Sequence, residues 1–164
     1  MIFVILGMEK FSFDRLVKEV DFLKGSKKIE DSIFIQLGSC KYEPKHCECK
    51  RFLAFEETCE KIKKAEVVIA HAGAGTTLLC LQYGKKPILV PRRKQFGEHV
   101  DDHQVSFAHK MEKIGVAFAV FKIKYLCSVL QKNRNKTALN NINRTNKPKL
   151  INYLTSIIKS WQIR

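Results

Sequence analysis

Short apolar runs at residues 2–6, 33–37, 67–70, 87–90 and 116–120 alternate along the chain with segments whose apolar residues recur every three to four positions. A continuous apolar run is a strand buried on both faces, whereas the three-to-four spacing puts one apolar stripe on a helix. Phe13, Leu16, Val17, Val20 and Leu23 make the first such stripe, with Gly25 as its stop. Helices are expected at residues 55–64, where Cys59 joins Phe55 and Ile62 on the core face, at about 75–83 with Gly84 as the C-cap, and at 101–113. A loop carrying Tyr42 and Pro44 follows the second strand. Doubly buried strands need helices on both sides, so the expected class is α/β, a Rossmann-like, mostly parallel sheet covered on both faces.

A chain of 164 residues suits one domain with a real core. No apolar run approaches the length that crosses a bilayer, and the opening "MIFVIL" lacks a basic flank and a cleavage site. A cytoplasmic protein is expected. The expected organisation is a domain at residues 1–130, a basic Asn/Lys-rich linker or loop at 131–149, and a C-terminal amphipathic helix at 150–164.

The net charge of +14 is concentrated towards the C-terminus: residues 113–164 hold 11 basic residues and no acidic one. Leu150, Ile151, Leu154, Ile157, Ile158 and Trp161 recur at helical spacing there, which fits a helix docked on its own domain as well as one that grips a partner. Nucleic-acid binding has the charge but lacks interleaved aromatics or a recognisable module, so no nucleic-acid partner is expected. Reduced thiols are expected for the six cysteines, and the cluster of Cys40, His46, Cys47, Cys49 and Cys59 lacks the paired spacing of a zinc ribbon or finger.

In an open parallel sheet, ligands bind at the loops beyond the carboxyl ends of the strands. "HAGAGTT", residues 71–77, is such a loop. Gly73 and Gly75 are expected to allow positive φ and close backbone approach, and the free N–H groups of the following helix suit a phosphate. Thr76 and Thr77 add hydroxyls or cap the helix. No Gly-Lys-Ser/Thr follows, so this is not a P-loop. "GEHVDDHQ", residues 97–104, packs Glu98, His99, Asp101, Asp102, His103 and Gln104 ahead of a helix, more polar groups than capping requires. Carboxylates and amides receive sugar hydroxyls, and Arg92 and Arg93 just upstream are expected to face an anionic ligand.

The motifs "MIFVILG" with "FDRLVKEVD", "IAHAGAGT" and "GKKPILVPRRKQFGEHVDDHQ", in this order, resemble the donor-binding half of GT-B glycosyltransferases of the family 28 C-terminal type. More narrowly, they resemble the short PssE-type polysaccharide-synthesis subunits, related to the cytosolic subunit of the eukaryotic two-part UDP-N-acetylglucosamine transferase. The resemblance implies that His71, Gly73, Gly75 and Thr76 hold the diphosphate of a UDP-sugar donor, that Asp101, Asp102, His103 and Gln104 lie by the sugar, and that backbone near Pro91 and Arg92 flanks the uridine. Gly7, Ala74, Thr77, Glu98 and His99 complete the implied donor-binding set.

The resemblance further implies inversion at the anomeric centre without a cofactor or bound metal. The acceptor, a polyprenyl-diphosphate-linked sugar, and the general base would come with a membrane-anchored partner subunit, which would hold the chain at the inner membrane face. The alternative is a non-catalytic stabilising or enhancer subunit of such a transferase. Two positions depart from the family pattern: Met8 stands where Thr is common, and Leu79 where many relatives carry the Glu that holds the ribose.

Overall fold

The computed structural model describes residues 1–136. The helix expected at 150–164, and the expected linker beyond residue 136, lie outside the described residues. The elements in chain order are β1 (Ile2–Ile5), α1 (Asp14–Gly25), β2 (Ile33–Gln36), β3 (Glu48–Lys50), α2 (Phe55–Lys64), β4 (Val67–His71), α3 (Ala74–Gln82), β5 (Ile88–Val90), α4 (His103–Lys113), β6 (Phe118–Ala119) and α5 (Leu126–Asn133). The strands form one parallel sheet in the order β3-β2-β1-β4-β5-β6.

Alternation along the strands builds two cores. Ile2 and Val4 of β1 and Val67 and Ile69 of β4 face Leu16, Val17, Val20 and Leu23 of α1, together with Leu126 and Leu130 of α5. Phe3, Ile5, Val68 and Ala70 face the other way, onto Ile62 of α2, Cys80 and Leu81 of α3, and Phe107, Ala108 and Met111 of α4. Every residue of β1 and β4 is buried, which is why these strands read as unbroken apolar runs. Gly84 has φ +68° and closes α3 as expected, its N–H donating to Leu81 O at 3.0 Å.

Three local features differ from the periodic reading. β3 lies in what reads as a loop, because its three residues are all exposed and it pairs at the sheet edge with β2 alone. α5 runs into the expected linker as far as Asn133, with a 3-10 turn through Lys136. Cys59 and Ile62 are buried, but Phe55 is 66% exposed: it sits at the first position of α2, where the stripe has already left the core. The six cysteines are free thiols, and the buried Cys40 Sγ accepts the Phe13 N–H at 3.2 Å. Among the described residues no helix is long and apolar enough to cross a membrane.

Candidate functional site

The chain leaves β1 towards β2 on one side and leaves β4 towards β5 on the other, so the connections diverge above the β1–β4 pair. This reversal opens a crevice at the carboxyl ends of the strands. A cleft of about 680 Å³ lies there, within the range of small-molecule sites. Gly7 and Met8 after β1, Gln36 at the end of β2, Leu53 and Phe55 at the entry to α2, and His71, Gly73, Gly75, Thr76 and Leu79 around the β4–α3 turn line it.

His71 ends β4 and forms part of the cleft wall, with only 7% of its surface exposed. Its ring is held between two glycines: a Cβ on Gly7 would stand 2.7 Å from Cε1, and one on Gly73 2.3 Å from Nε2. Nδ1 lies 3.4 Å from Ile5 O, the geometry of a proton on Nδ1 and a lone pair on Nε2. Burial, and then the nearby charge of Arg92, push the imidazole pKa down to about 4. The ring is therefore neutral at physiological pH and offers an anion no charge of its own.

Positive charge at the cleft comes instead from backbone. Gly73 is the N-cap of α3, and no side chain caps the helix. Its first internal bond is Thr77 N–H to Gly73 O at 3.0 Å, so the N–H groups of Ala74, Gly75 and Thr76 are the open donors of its first turn. Gly75 and Thr76 line the cleft, whereas the Thr77 hydroxyl is used internally, donating to Gly73 O at 2.8 Å. The expectation of positive φ at Gly73 and Gly75 is corrected: Gly73 has φ −83°, and the glycines with positive φ are Gly7, Gly38, Gly84, Gly97 and Gly115. Gly73 is required by contact with the His71 ring, and a Cβ on Gly75 would meet nothing within 4 Å.

In the loop between β5 and α4, several of the polar groups are engaged within the protein. Arg92 does not face an anion. Its guanidinium is fully buried, with Nη1 donating to Phe11 O at 2.7 Å and Glu98 O at 3.1 Å, Nη2 donating to Leu6 O at 2.9 Å, and Nε unpartnered. Arg93 Nη2 likewise donates to Phe121 O at 3.1 Å. Glu98 receives a two-pronged ion pair from Arg15, both bonds at 2.9 Å, and accepts the Arg93 N–H. Gln104 Oε1 accepts the Arg92 N–H at 3.1 Å, and Asp102 Oδ1 accepts the Lys94 N–H at 3.0 Å. Pro91 is buried beside them. The polar density of this loop thus fastens it to the β1–α1 loop and to itself. His99, Asp101 and His103 remain as a small cluster at its outer end, and no residue from Pro91 to Gln104 lines the cleft.

Several residues of the cleft escape sequence reading. Gln36 accepts the Leu6 and Gly7 N–H groups at 3.2 and 3.1 Å, and donates to Gly7 O and Arg51 O, both at 3.0 Å, locking the turn after β1. Leu53, Phe55 and Leu78 give the cleft an apolar side. The sequence signal for Leu53 and Phe55 is "RFLAF", apolar residues interrupting a charged stretch at the entry to a helix.

Residues 1–159 match the glycosyltransferase family 28 C-terminal domain. The chain belongs to this family. The human UDP-N-acetylglucosamine transferase subunit ALG13 is 30% identical to this family 28 domain over 126 residues, 71% of the chain but 11% of the human protein. The UDP-N-acetylglucosamine–N-acetylmuramyl-(pentapeptide) pyrophosphoryl-undecaprenol N-acetylglucosamine transferase of Paramagnetospirillum magneticum is 39% identical over 64 residues, 39% of the chain and 16% of that protein. The family 28 domain thus spans a small part of the curated relatives it matches.

Solved structures share the fold. MurG of Acinetobacter baumannii superposes with a TM-score of 0.56 at 20% identity, covering 82% of this chain and 42% of MurG. The glycotransferase of kitacinnamycin superposes with a TM-score of 0.60 at 12% identity, covering 80% of this chain and 34% of its own. The α/β expectation is met: the parallel sheet with helices on both faces is the fold found in part of each of these glycosyltransferases.

Proposed function

We propose that this family 28 domain binds a UDP-sugar in the cleft and serves as the donor-binding component of an inverting, two-part glycosyltransferase. The observation that carries this is the uncapped N-terminus of α3, which opens onto a cleft whose other side is apolar. The diphosphate sits on the N–H groups of the first turn of α3, where the helix dipole favours negative charge. The same dipole stabilises the UDP leaving group as the glycosidic bond breaks, with no metal required in that step. The neutral His71 shapes the floor without competing for the charge.

The flat base lies against the apolar side formed by Leu53, Phe55, Leu78 and Leu79. Leu79 cannot hold a ribose hydroxyl. Gln82, three residues on and therefore on the same face of α3, brings an amide to the cleft and takes that role.

ALG13 is by name a transferase subunit, and the Paramagnetospirillum relative is by name a transferase acting on a pyrophosphoryl-undecaprenol-linked sugar. The bacterial name supports an acceptor carried by a polyprenyl diphosphate, both names support a transferred N-acetylhexosamine or related hexose, and the word subunit in the human name supports a second chain. In this reading the second chain is membrane-anchored and brings the acceptor and the general base. The test has two stages. Calorimetry on the full chain should show one equivalent of UDP bound, and co-expression with the second subunit should yield sugar transfer to a polyprenyl-diphosphate-linked acceptor. Absence of UDP binding refutes the donor assignment; transfer by the chain alone refutes the two-part reading.

A further inference from the structure

We propose that the edge of the sheet formed by β6 and α5 is a docking surface for the anionic headgroups of a phospholipid leaflet. Among the described residues β6 closes the sheet and pairs with β5 alone, and a groove of about 460 Å³ runs between it and α5. Phe121 and Val129 give this groove an apolar lining, with Lys122 and Lys132 beside them. Tyr125, half exposed, lines it too. An exposed tyrosine and two lysines bordering an apolar groove suit the headgroup layer, which accepts a ring at its apolar depth and an ammonium at its wet, anionic surface.

Charge selects the occupant. Residues 113–136 hold six basic residues, Lys113, Lys122, Lys124, Lys132, Arg134 and Lys136, and no acidic one. Arg134 is taken up by Asp31 and Glu66, but Lys122 and Lys132 have no acidic partner among the described residues. A carboxylate at this edge, Glu112, is turned onto backbone, its Oε1 accepting the Ala119 N–H at 3.1 Å. That bond occupies an outward-facing donor of β6, so the edge meets a partner with side chains rather than by strand pairing. Lys86 stands 4.1 Å from the centre of the Phe118 ring, and burial, then the nearby Lys136, lower its pKa: cations crowd this edge. Such an excess complements a leaflet of anionic headgroups, where each Lys or Arg near the surface adds to binding within a Debye length of about 8 Å. With the β6 edge against the leaflet, the strands lie parallel to its plane and the cleft at their carboxyl ends opens along the membrane surface. The groove shares no residue with the cleft, so the proposal stands independently of the donor reading.

The experiment is flotation of the full chain, with no second subunit present, on vesicles of phosphatidylcholine alone and of phosphatidylcholine mixed equally with phosphatidylglycerol. The chain should float with the anionic vesicles only, and less of it as salt rises. Lys122→Glu/Lys132→Glu should weaken binding by at least about tenfold while keeping the circular dichroism spectrum and melting temperature of the parent. Lys63→Glu/Lys64→Glu makes the same charge change on α2, which packs on the other face of the sheet, and should weaken it by less than about threefold. The same small loss is expected for Lys147→Glu/Lys149→Glu, outside the described residues. Tyr125→Ala should weaken binding at high salt as well as low, its ring being an apolar contact. Equal binding to neutral vesicles, no binding to either kind, or a loss for the α2 pair or the 147/149 pair as large as that for the groove pair would overturn the proposal.

Discussion

Gly73 packs so closely on His71 that a Cβ at position 73 would stand 2.3 Å from Nε2. The ring cannot retreat, because Gly7 closes on its other edge and a Cβ there would itself be 2.7 Å from Cε1. Gly73→Ala should therefore cost about 1–3 kcal/mol of stability through overpacking, although the backbone at residue 73 suits alanine. Adding His71→Ser should recover most of that loss in urea denaturation. An unchanged midpoint for the single variant would show that the turn has slack that the geometry denies.

Gly75 behaves oppositely. It lies in the first turn of α3 with open space where a side chain would go, so Gly75→Asp should fold as well as the parent or slightly better, a carboxylate being favourable at a helix N-terminus. The same charge should repel a diphosphate and weaken UDP binding by at least about tenfold, or 1.4 kcal/mol. Calorimetry beside thermal melting separates the two effects. UDP affinity equal to that of the parent would place the nucleotide away from α3.

His71 makes stability depend on pH. Its folded pKa of about 4 lies below the ordinary histidine value of 6.5, so protons bind the unfolded chain first. The contribution is fully present above pH 6.5 and is lost as pH falls towards 4, about 3 kcal/mol in all. His71→Gln should flatten the fall in urea midpoint across that window. In proton NMR, the His71 Cε1–H should hold its shift from about pH 8 to about pH 5; a midpoint near the ordinary histidine value would contradict the buried, neutral ring.

Gln82 is assigned to the ribose, which can be checked with a ligand lacking the relevant hydroxyl. Gln82→Ala should weaken UDP binding by about tenfold while leaving binding of 2′-deoxy-UDP nearly unchanged, since a hydrogen bond missing on one side cannot be lost again. Parallel losses for the two ligands would remove Gln82 from ribose recognition.

Arg92 is a structural clamp, and its loss should appear in stability. Arg92→Lys keeps the charge but cannot span the carbonyls of Leu6, Phe11 and Glu98, leaving buried acceptors unpaired at a cost of about 2 kcal/mol or more. Arg93, half-buried with one bond to Phe121 O, should tolerate Lys with a loss of under about 1 kcal/mol. Equal urea midpoints for the two variants would contradict the clamp.

Periodicity alone was enough for five of the six strands and most of the helices. Hydrophobic burial is a one-dimensional signal: Ile2–Ile5 and Val67–His71 are buried on both sides and read as apolar runs, and the α1 stripe meets the core where its spacing says it should. "HAGAGTT" likewise announced a tight strand-to-helix turn at the right end of the sheet. β3 escaped because an exposed edge strand has no apolar face to display.

The tertiary structure decided what each polar residue and each glycine is for. Residue type shows that a group needs a partner, but the partner can be far along the chain: Arg92 finds Phe11 O across 81 positions, and Glu98 finds Arg15 across 83. Arg92, Glu98 and Gln104, in a run that reads as ligand-facing, are thereby spent on holding the β5–α4 loop in place. Gly73 shows the same division: the glycine is visible in the sequence, but its necessity arises from a ring packed against it in space rather than from its own φ. The cleft, too, is a product of topology, because Gly7, Gln36, Leu53, His71 and Gly75 become neighbours only where the crossovers diverge above β1 and β4.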